Sequence, residues 1–132
     1  MKLYIYDHCP FCVKARMIFG LKNLPVELHV LQSDDEATPT RMIGQKMAPI
    51  LQKDDSRYLP ESLDIVHYVD KLDGQPLLTG SRNPKIEEWL RKVNGYVNKL
   101  LIPRFAQAPF DEFSTPQARA YFTAKKEAAI GD

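Results

Sequence analysis

Apolar positions fall in short blocks along the first half of the chain and at helical spacing along the second. Leu3-Tyr4-Ile5-Tyr6 is a short apolar run, and residues 2–6 are predicted to form a strand. Residues 10–22 follow as a helix with Phe11, Ala15, Ile18 and Leu21 on one apolar stripe, while Lys14 and Lys22 point elsewhere. Pro10 suits the first helical turn, where its missing N–H leaves no bond unmade. Gly20, Asn23 and Pro25 mark the exit. Val26, Leu28 and Val30 alternate, so residues 26–31 read as a second strand, parallel to the first across the helix. Residues 32–38 are acidic and polar and read as a loop, and a short helix is expected over 39–44. Residues 47–53 then form a strand that begins at Pro49. A turn at Asp54-Asp55-Ser56 and a return strand at 57–59 make a hairpin. The third helix spans 61–72, with Ser62 as N-cap, Asp64 in the first turn and Lys71 in the last. Leu63, Ile65, Val66, Tyr68, Val69 and Leu72 supply its buried face.

The pattern changes after a stretch punctuated by Gly and Pro, residues 74–83, which reads as a linker. From Pro84 the apolar residues Ile86, Trp89, Leu90, Val93, Val97, Leu100 and Leu101 recur at helical spacing, with Asn83 as cap. Pro103 is expected to stop or kink this helix, and Pro109 breaks the segment beyond it. Thr115-Pro116 opens another helix to about residue 128. The order is β-α-β-α-β-β-α over 1–73, then a linker at 74–83, then an all-α region at 84–132.

Composition narrows the class. Hydrophobic residues make up 44% of 132, enough for a core without a disulfide staple. With 18 basic and 17 acidic residues, the net charge of +1 lacks the excess of a nucleic-acid binder. No segment approaches the roughly 20 apolar residues of a membrane span. Asp7 and His8 interrupt the N-terminal apolar run too early for an export signal, so the expected compartment is the cytoplasm. No Gly-x-Gly-x-x-Gly is present, so no nucleotide cofactor is expected.

The only two cysteines are Cys9 and Cys12, in Cys9-Pro10-Phe11-Cys12 between the first strand and helix. A helix N-terminus presents unpaired N–H groups and a partial positive charge, which stabilise a thiolate. The second sulfur, three residues on, lies on the same face. Structural disulfides are rare in the cytoplasm, so a close pair points to redox or metal chemistry. Zinc takes about four ligands. The only further candidates, His8, His29 and His67, match no zinc spacing, and no metal is expected. Cys9, nearer the helix end, is the expected nucleophile, and Cys12 the resolving thiol. His8 and Lys14 are candidate positive neighbours, or else solvated surface residues. Phe11 either shields the pair or packs on the helix stripe.

This β-α-β-α-β-β-α unit, with Cys9-Pro10-Phe11-Cys12 after strand one, Ala48-Pro49 before strand three and Glu61-Ser62 at helix three, resembles the thioredoxin-like domain of the glutaredoxins. With the helical region added, the whole chain resembles the bacterial glutaredoxin 2 family, which joins that domain to a glutathione-transferase-like helical one. The likeness is strong in residues 2–10 and 88–94. Two departures stand out. The family more often has tyrosine where Phe11 stands. It also continues through several more helices, so 84–132 is expected to be a partial helical domain, with Trp89, Leu90, Tyr96, Leu100 and Phe122 incompletely covered.

The resemblance implies a glutathione-dependent dithiol–disulfide oxidoreductase acting on disulfide-containing or glutathionylated proteins, with glutathione as reductant and cosubstrate. It implies that Pro49 is cis and that the Ala48 backbone pairs with glutathione like a short strand. Ser62 and the helix N-terminus would hold the γ-glutamyl carboxylate, and Glu61 would accept from its ammonium group. On the residues alone, Glu61-Ser62 reads first as a helix cap, and the ligand role is what the resemblance adds. His8 would border the glutathione site. Arg16, Lys22, Arg41 and Lys46 are candidates to attract the glycine carboxylate. The alternatives are a glutathione-transferase-like thiol transferase or dehydroascorbate reductase, and a redox-switched binding protein without catalysis.

Overall fold

Seven elements lie in the expected order: β1 (Lys2–Ile5), α1 (Pro10–Leu21), β2 (Glu27–Val30), α2 (Ala37–Ile43), β3 (Ile50–Gln52), β4 (Tyr58–Pro60) and α3 (Ser62–Asp70). Two longer helices follow, α4 (Pro84–Gln107) and α5 (Pro116–Ile130), joined through a 3₁₀ turn at Asp111–Phe113. This computed structural model describes residues 1–131. Asp132, the end of the expected helical region, lies outside the described residues.

The four strands form one mixed sheet in the order β2-β1-β3-β4. β1 runs parallel to β2, with Leu3 opposite Leu28, and antiparallel to β3, with Leu3 opposite Leu51. The parallel pair needs a crossover, and α1 supplies it. α1 and α3 pack against each other on the sheet. Leu3, Ile5, Ile18, Phe19, Leu51, Ile65 and Val69 meet in the core they enclose.

The buried row of α1 keeps Ala15 and Ile18 of the expected stripe but is turned toward Cys12 and Phe19 in place of Phe11 and Leu21. Cys12, Ala15, Ile18 and Phe19 are buried, whereas Phe11 is 55% and Leu21 60% exposed. Cys12, Ala15 and Phe19 stand at i, i+3 and i+7, and a reduced cysteine packs as a small hydrophobe. The stripe expected from the sequence leaves Cys12 out of the apolar set.

α3 also differs in two respects. Its N-cap is Glu61, at φ 73°, with no side-chain cap bond, and Ser62 is the first helical residue and buried. The buried row is Ser62, Ile65, Val66 and Val69, so Leu63 is exposed, and Leu72 lies beyond the helix end and is exposed.

Asn83 caps α4 by accepting from the Lys85 N–H, as expected. Pro103 does not stop the helix, which continues to Gln107. The Arg104 side chain donates to the Leu100 carbonyl, adding a bond beside the one Pro103 cannot make. Along α4 only Val93 is buried; Ile86, Trp89, Tyr96 and Leu100 are all more than half exposed. Phe122, expected to be incompletely covered, is buried.

The helical region is fastened to the sheet region through the polar loop after β2. Gln32 donates to the Asp111 carbonyl at 2.9 Å and accepts from the Ser114 N–H and hydroxyl. The Ser33 N–H donates to the Glu112 carbonyl at 3.0 Å, and its hydroxyl donates to the Ala118 carbonyl. The Tyr121 hydroxyl donates to Glu36. At the opposite end, Lys22 is buried against the start of the linker and donates to the Asp70 and Gln75 carbonyls and the Asp73 carboxylate.

The phase of α1 is testable by truncation. Ile18→Ala should lower the unfolding free energy by about 2–5 kcal/mol. Phe11→Ala should change it by less than about 0.5 kcal/mol. Equal losses in denaturant titrations would contradict this packing.

Candidate redox site

Cys9 is the N-cap of α1, in extended conformation at φ −74° and ψ 123°, and Pro10 is the first helical residue. The Cys9 N–H donates to the Tyr6 carbonyl and its carbonyl accepts from Val13, so the backbone around the sulfur is fixed on both sides. The sulfur is half-buried, and both cysteines are free thiols. Cys12, one turn in, is fully buried in the core, and its sulfur accepts from the Tyr6 N–H at 3.4 Å.

The environment divides the protons of the pair. Hydrogen bonding from the Cys12 thiol is the largest influence on Cys9; burial opposes it, and the Cys12 and Phe11 N–H groups and nearby His8 assist. The Cys9 pKa falls from 9.0 to about 6. Cys12 moves far upward, first because it donates to Cys9 and then because it is buried. One thiolate therefore sits at the cleft and one thiol beneath it.

A cleft of about 250 Å³ opens over Cys9. Tyr6, His8, Phe11 and Ala48 line it from the sheet region, with Tyr121, Phe122, Lys125 and Lys126 of α5 opposite. A somewhat larger groove of about 320 Å³ lies between α4 and α5, but no thiol or histidine lines it. Lys46 also lines the cleft, 5.2 Å from the Tyr6 ring centroid and 5.1 Å from that of Tyr121. Burial, and then the proximity of Lys125, lower its pKa. Burial likewise raises the Tyr6 phenol, whose buried hydroxyl has no hydrogen-bond partner among the described residues.

The expected site residues fall into two groups. His8, Cys9 and Ala48 share the cleft. The Ala48–Pro49 bond is cis, and Ala48 lies outside every strand pairing. Pro49 is buried behind it. Glu61 and Ser62 are not in the cleft lining. They stand at the N-terminus of α3, where the positive φ of Glu61 is a conformation that side chains rarely adopt and that clusters at functional sites. Of the candidate cations, only Lys46 reaches the cleft. Arg16 pairs with Asp7 at 3.0 Å, Lys22 is engaged at the linker, and Arg41 and Lys14 are exposed outside it. Among the described residues, no three His, Cys, Asp or Glu side chains are grouped to hold a metal, and no helix is long and apolar enough to cross a membrane.

The site residue not foreseen from sequence is Glu112, in the 3₁₀ turn of the helical region. Its fully buried side chain accepts from the Asp7 N–H at 2.9 Å, the His8 N–H at 3.0 Å and His8 Nδ1 at 2.5 Å. Burial works to raise its pKa, but these donors, His8 foremost, carry the balance below the usual carboxylate range. Phe105, Phe110, Phe113 and Phe122 surround the His8 ring, with centroids 5.1–5.9 Å away. The one available signal is an acidic residue within an aromatic run, Phe110-Asp111-Glu112-Phe113.

Comparison with known proteins accords with this geometry. Residues 3–77 match the family model "Glutathione S-transferase, N-terminal domain", and residues 85–132 match "Glutaredoxin 2, C terminal domain". The chain is 79% identical over all 132 residues to Glutaredoxin 2 of Escherichia coli strain K12, covering 61% of that protein. It aligns with the crystal structure of Glutaredoxin 2 from Salmonella typhimurium in complex with glutathione at 84% identity and TM-score 0.96, over 99% of this chain and 60% of that one. A glutathione S-transferase from Xanthobacter autotrophicus, 21% identical with TM-score 0.59 over 97% of this chain and 65% of that one, shares the fold. The chain thus spans about three fifths of the length of the glutaredoxins it matches.

The ionisation of Cys9 sets a pH dependence. A thiol with its pKa lowered to about 6 is mostly thiolate above that pH and loses reactivity as pH falls through it. Alkylation of Cys9 by iodoacetamide should reach half its plateau rate near pH 6, with Cys12 unmodified until the chain unfolds. A midpoint at the ordinary thiol value would contradict the geometry.

Proposed function

We propose, for a chain that belongs to the glutathione S-transferase N-terminal-domain family and whose residues 85–132 match the glutaredoxin 2 C-terminal domain, the function of a glutathione-dependent dithiol–disulfide oxidoreductase. One observation carries the reading: Cys9 caps the N-terminus of α1 at the open cleft, where its thiolate is favoured, and Cys12 lies buried one turn in. Cys9 attacks one sulfur of a protein disulfide or of a glutathionylated protein. A Cys9–S bond forms, the substrate S–S bond breaks, and the leaving thiolate takes up a proton. Cys12 then gives up its proton and attacks the Cys9 sulfur, releasing the second substrate thiol and closing the Cys9–Cys12 disulfide. One glutathione opens that disulfide, leaving a glutathionyl group on Cys9 and a thiol on Cys12. A second glutathione attacks the glutathionyl sulfur, glutathione disulfide departs, and the Cys9 thiolate returns. The two electrons that reduce the substrate come from the two glutathiones.

Glutathione lies along the cleft in this reading. The free Ala48 backbone pairs with its extended peptide, with Pro49 behind. His8 borders it. The α3 N-terminus and the Ser62 hydroxyl hold the γ-glutamyl carboxylate, and Glu61 takes the ammonium group. The left-handed backbone of Glu61 supports a ligand role. Residues 1–73 act as the glutaredoxin domain and 84–132 as part of its helical partner, joined by 74–83. The substrates are disulfide-bonded or glutathionylated proteins. The cytoplasm, where glutathione keeps thiols reduced, suits a dithiol that glutathione returns to its reduced form.

Cysteine variants test the reaction. Cys9→Ser should abolish reduction of both a glutathione mixed disulfide and a protein disulfide. Cys12→Ser should keep the first and lose most of the second. Full protein-disulfide activity without Cys12 would favour a glutathione-transferase-like thiol transferase instead.

Variants at α3 test the cradle. Ser62→Ala should raise KM for glutathione about 10- to 100-fold through loss of a charge-assisted bond. Glu61→Gly should stabilise the fold by about 1 kcal/mol by relieving its backbone, and should also weaken glutathione binding. An unchanged KM in both would remove these residues from the site.

A further inference from the structure

Glu112 is a carboxylate with 0% exposure, bonded to an imidazole that phenylalanine rings surround. A buried carboxylate is costly unless donors fill its lone pairs. Three donors do so here, and all come from Asp7 and His8, the two residues before Cys9 and more than a hundred positions away in sequence. A carboxylate only accepts, so His8 Nδ1 carries the proton between them. The phenylalanine rings around the imidazole fix its plane, and Phe122 and His8 both reach the cleft beside Cys9.

We propose that Glu112 is a positioning residue for the thiol site: through its bonds to Asp7 and His8 it holds the imidazole in place beside Cys9, so that the helical region sets the reactivity of a cysteine in the sheet region. This rests on the thiol–disulfide function proposed for Cys9 and Cys12. The other ionisable groups around Cys9 and His8 are Cys12 on α1, Tyr6 after β1, Lys46 before β3, and Tyr121, Lys125 and Lys126 on α5. Asp7 is paired with Arg16.

The direction of the effect separates positioning from simple charge. A negative Glu112 acting directly disfavours a second negative charge nearby, so neutralising it would make Cys9 easier to ionise. His8 acts the other way and lowers the Cys9 thiol. Loss of a correctly held His8 therefore makes Cys9 harder to ionise.

The test is the pH midpoint of Cys9 alkylation, read by mass spectrometry of the Cys9 peptide, in Glu112→Gln, His8→Phe and the double variant. Circular dichroism establishes that each is folded. Glu112→Gln should move the midpoint up, toward the ordinary thiol value. His8→Phe should move it similarly, and the double variant no further than either. A folded Glu112→Gln with an unchanged or lower midpoint overturns the proposal, as does a shift that persists in full on the His8→Phe background. If Glu112→Gln does not fold, His8→Phe decides, since its residue 8 N–H still meets the carboxylate and an unchanged midpoint overturns the proposal. Alkylation needs no glutathione, so failure of the oxidoreductase function would show in the cysteine assays and leave this midpoint readable.

Discussion

Cys12 belongs at once to the hydrophobic core and to the reactive pair, and most of the structure serves that double placement. Its side chain packs with Ala15, Ile18 and Phe19 beneath the sheet, while its sulfur meets the Tyr6 N–H and Cys9. Burial makes a Cys12 thiolate expensive, so the shared hydrogen bond leaves the proton on Cys12 and the charge on Cys9. The core thus fixes the asymmetry on which thiol–disulfide exchange depends. A pair equally exposed would have no fixed nucleophile, and a pair equally buried would have no thiolate.

The helical region completes the site from outside. α5 forms one wall of the cleft, and the 3₁₀ turn before it places a carboxylate against the backbone that precedes Cys9. The joint is polar and specific. It uses Gln32, Ser33 and Glu36 on one side and Asp111, Glu112, Ser114 and Tyr121 on the other. Of these, Ser33 and Glu112 are buried, and they tolerate little sliding because a buried polar group left unpaired is costly. The exposed apolar face of α4, with Trp89, Tyr96 and Leu100, lies on the outer side and takes no part in the cleft.

Much of this is legible in the chain. The element order, the place of Cys9 at the start of α1, the Asn83 cap and the Pro84 and Pro116 helix starts follow from local chemistry that the sequence states directly. The differences arise where tertiary packing chooses among faces that local pattern leaves equivalent. Counting Phe11 and Leu21 as apolar, and Cys12 as purely chemical, keeps Ala15 and Ile18 on the buried face but misses Cys12 and Phe19. Pro103 signals a stop or a kink, and α4 carries it inside a helix that continues to Gln107. The Ser62 hydroxyl makes an ideal cap, yet the chain enters α3 through a left-handed Glu61. Glu112 is invisible for a different reason. Its three donors lie more than a hundred residues away, and no local periodicity encodes a contact of that range.

The central claim is that Cys9 alone exchanges with glutathione and that Cys12 serves only to resolve. Exposure of the Cys12→Ser chain to glutathione disulfide, followed by mass analysis of its peptides, tests this most directly. The account predicts one glutathionyl adduct, on the peptide that carries Cys9, formed readily near neutral pH and removed by added glutathione. A Cys12→Ser chain that stays unmodified, while the same treatment of a Cys9→Ser chain places the adduct on Cys12, would contradict it.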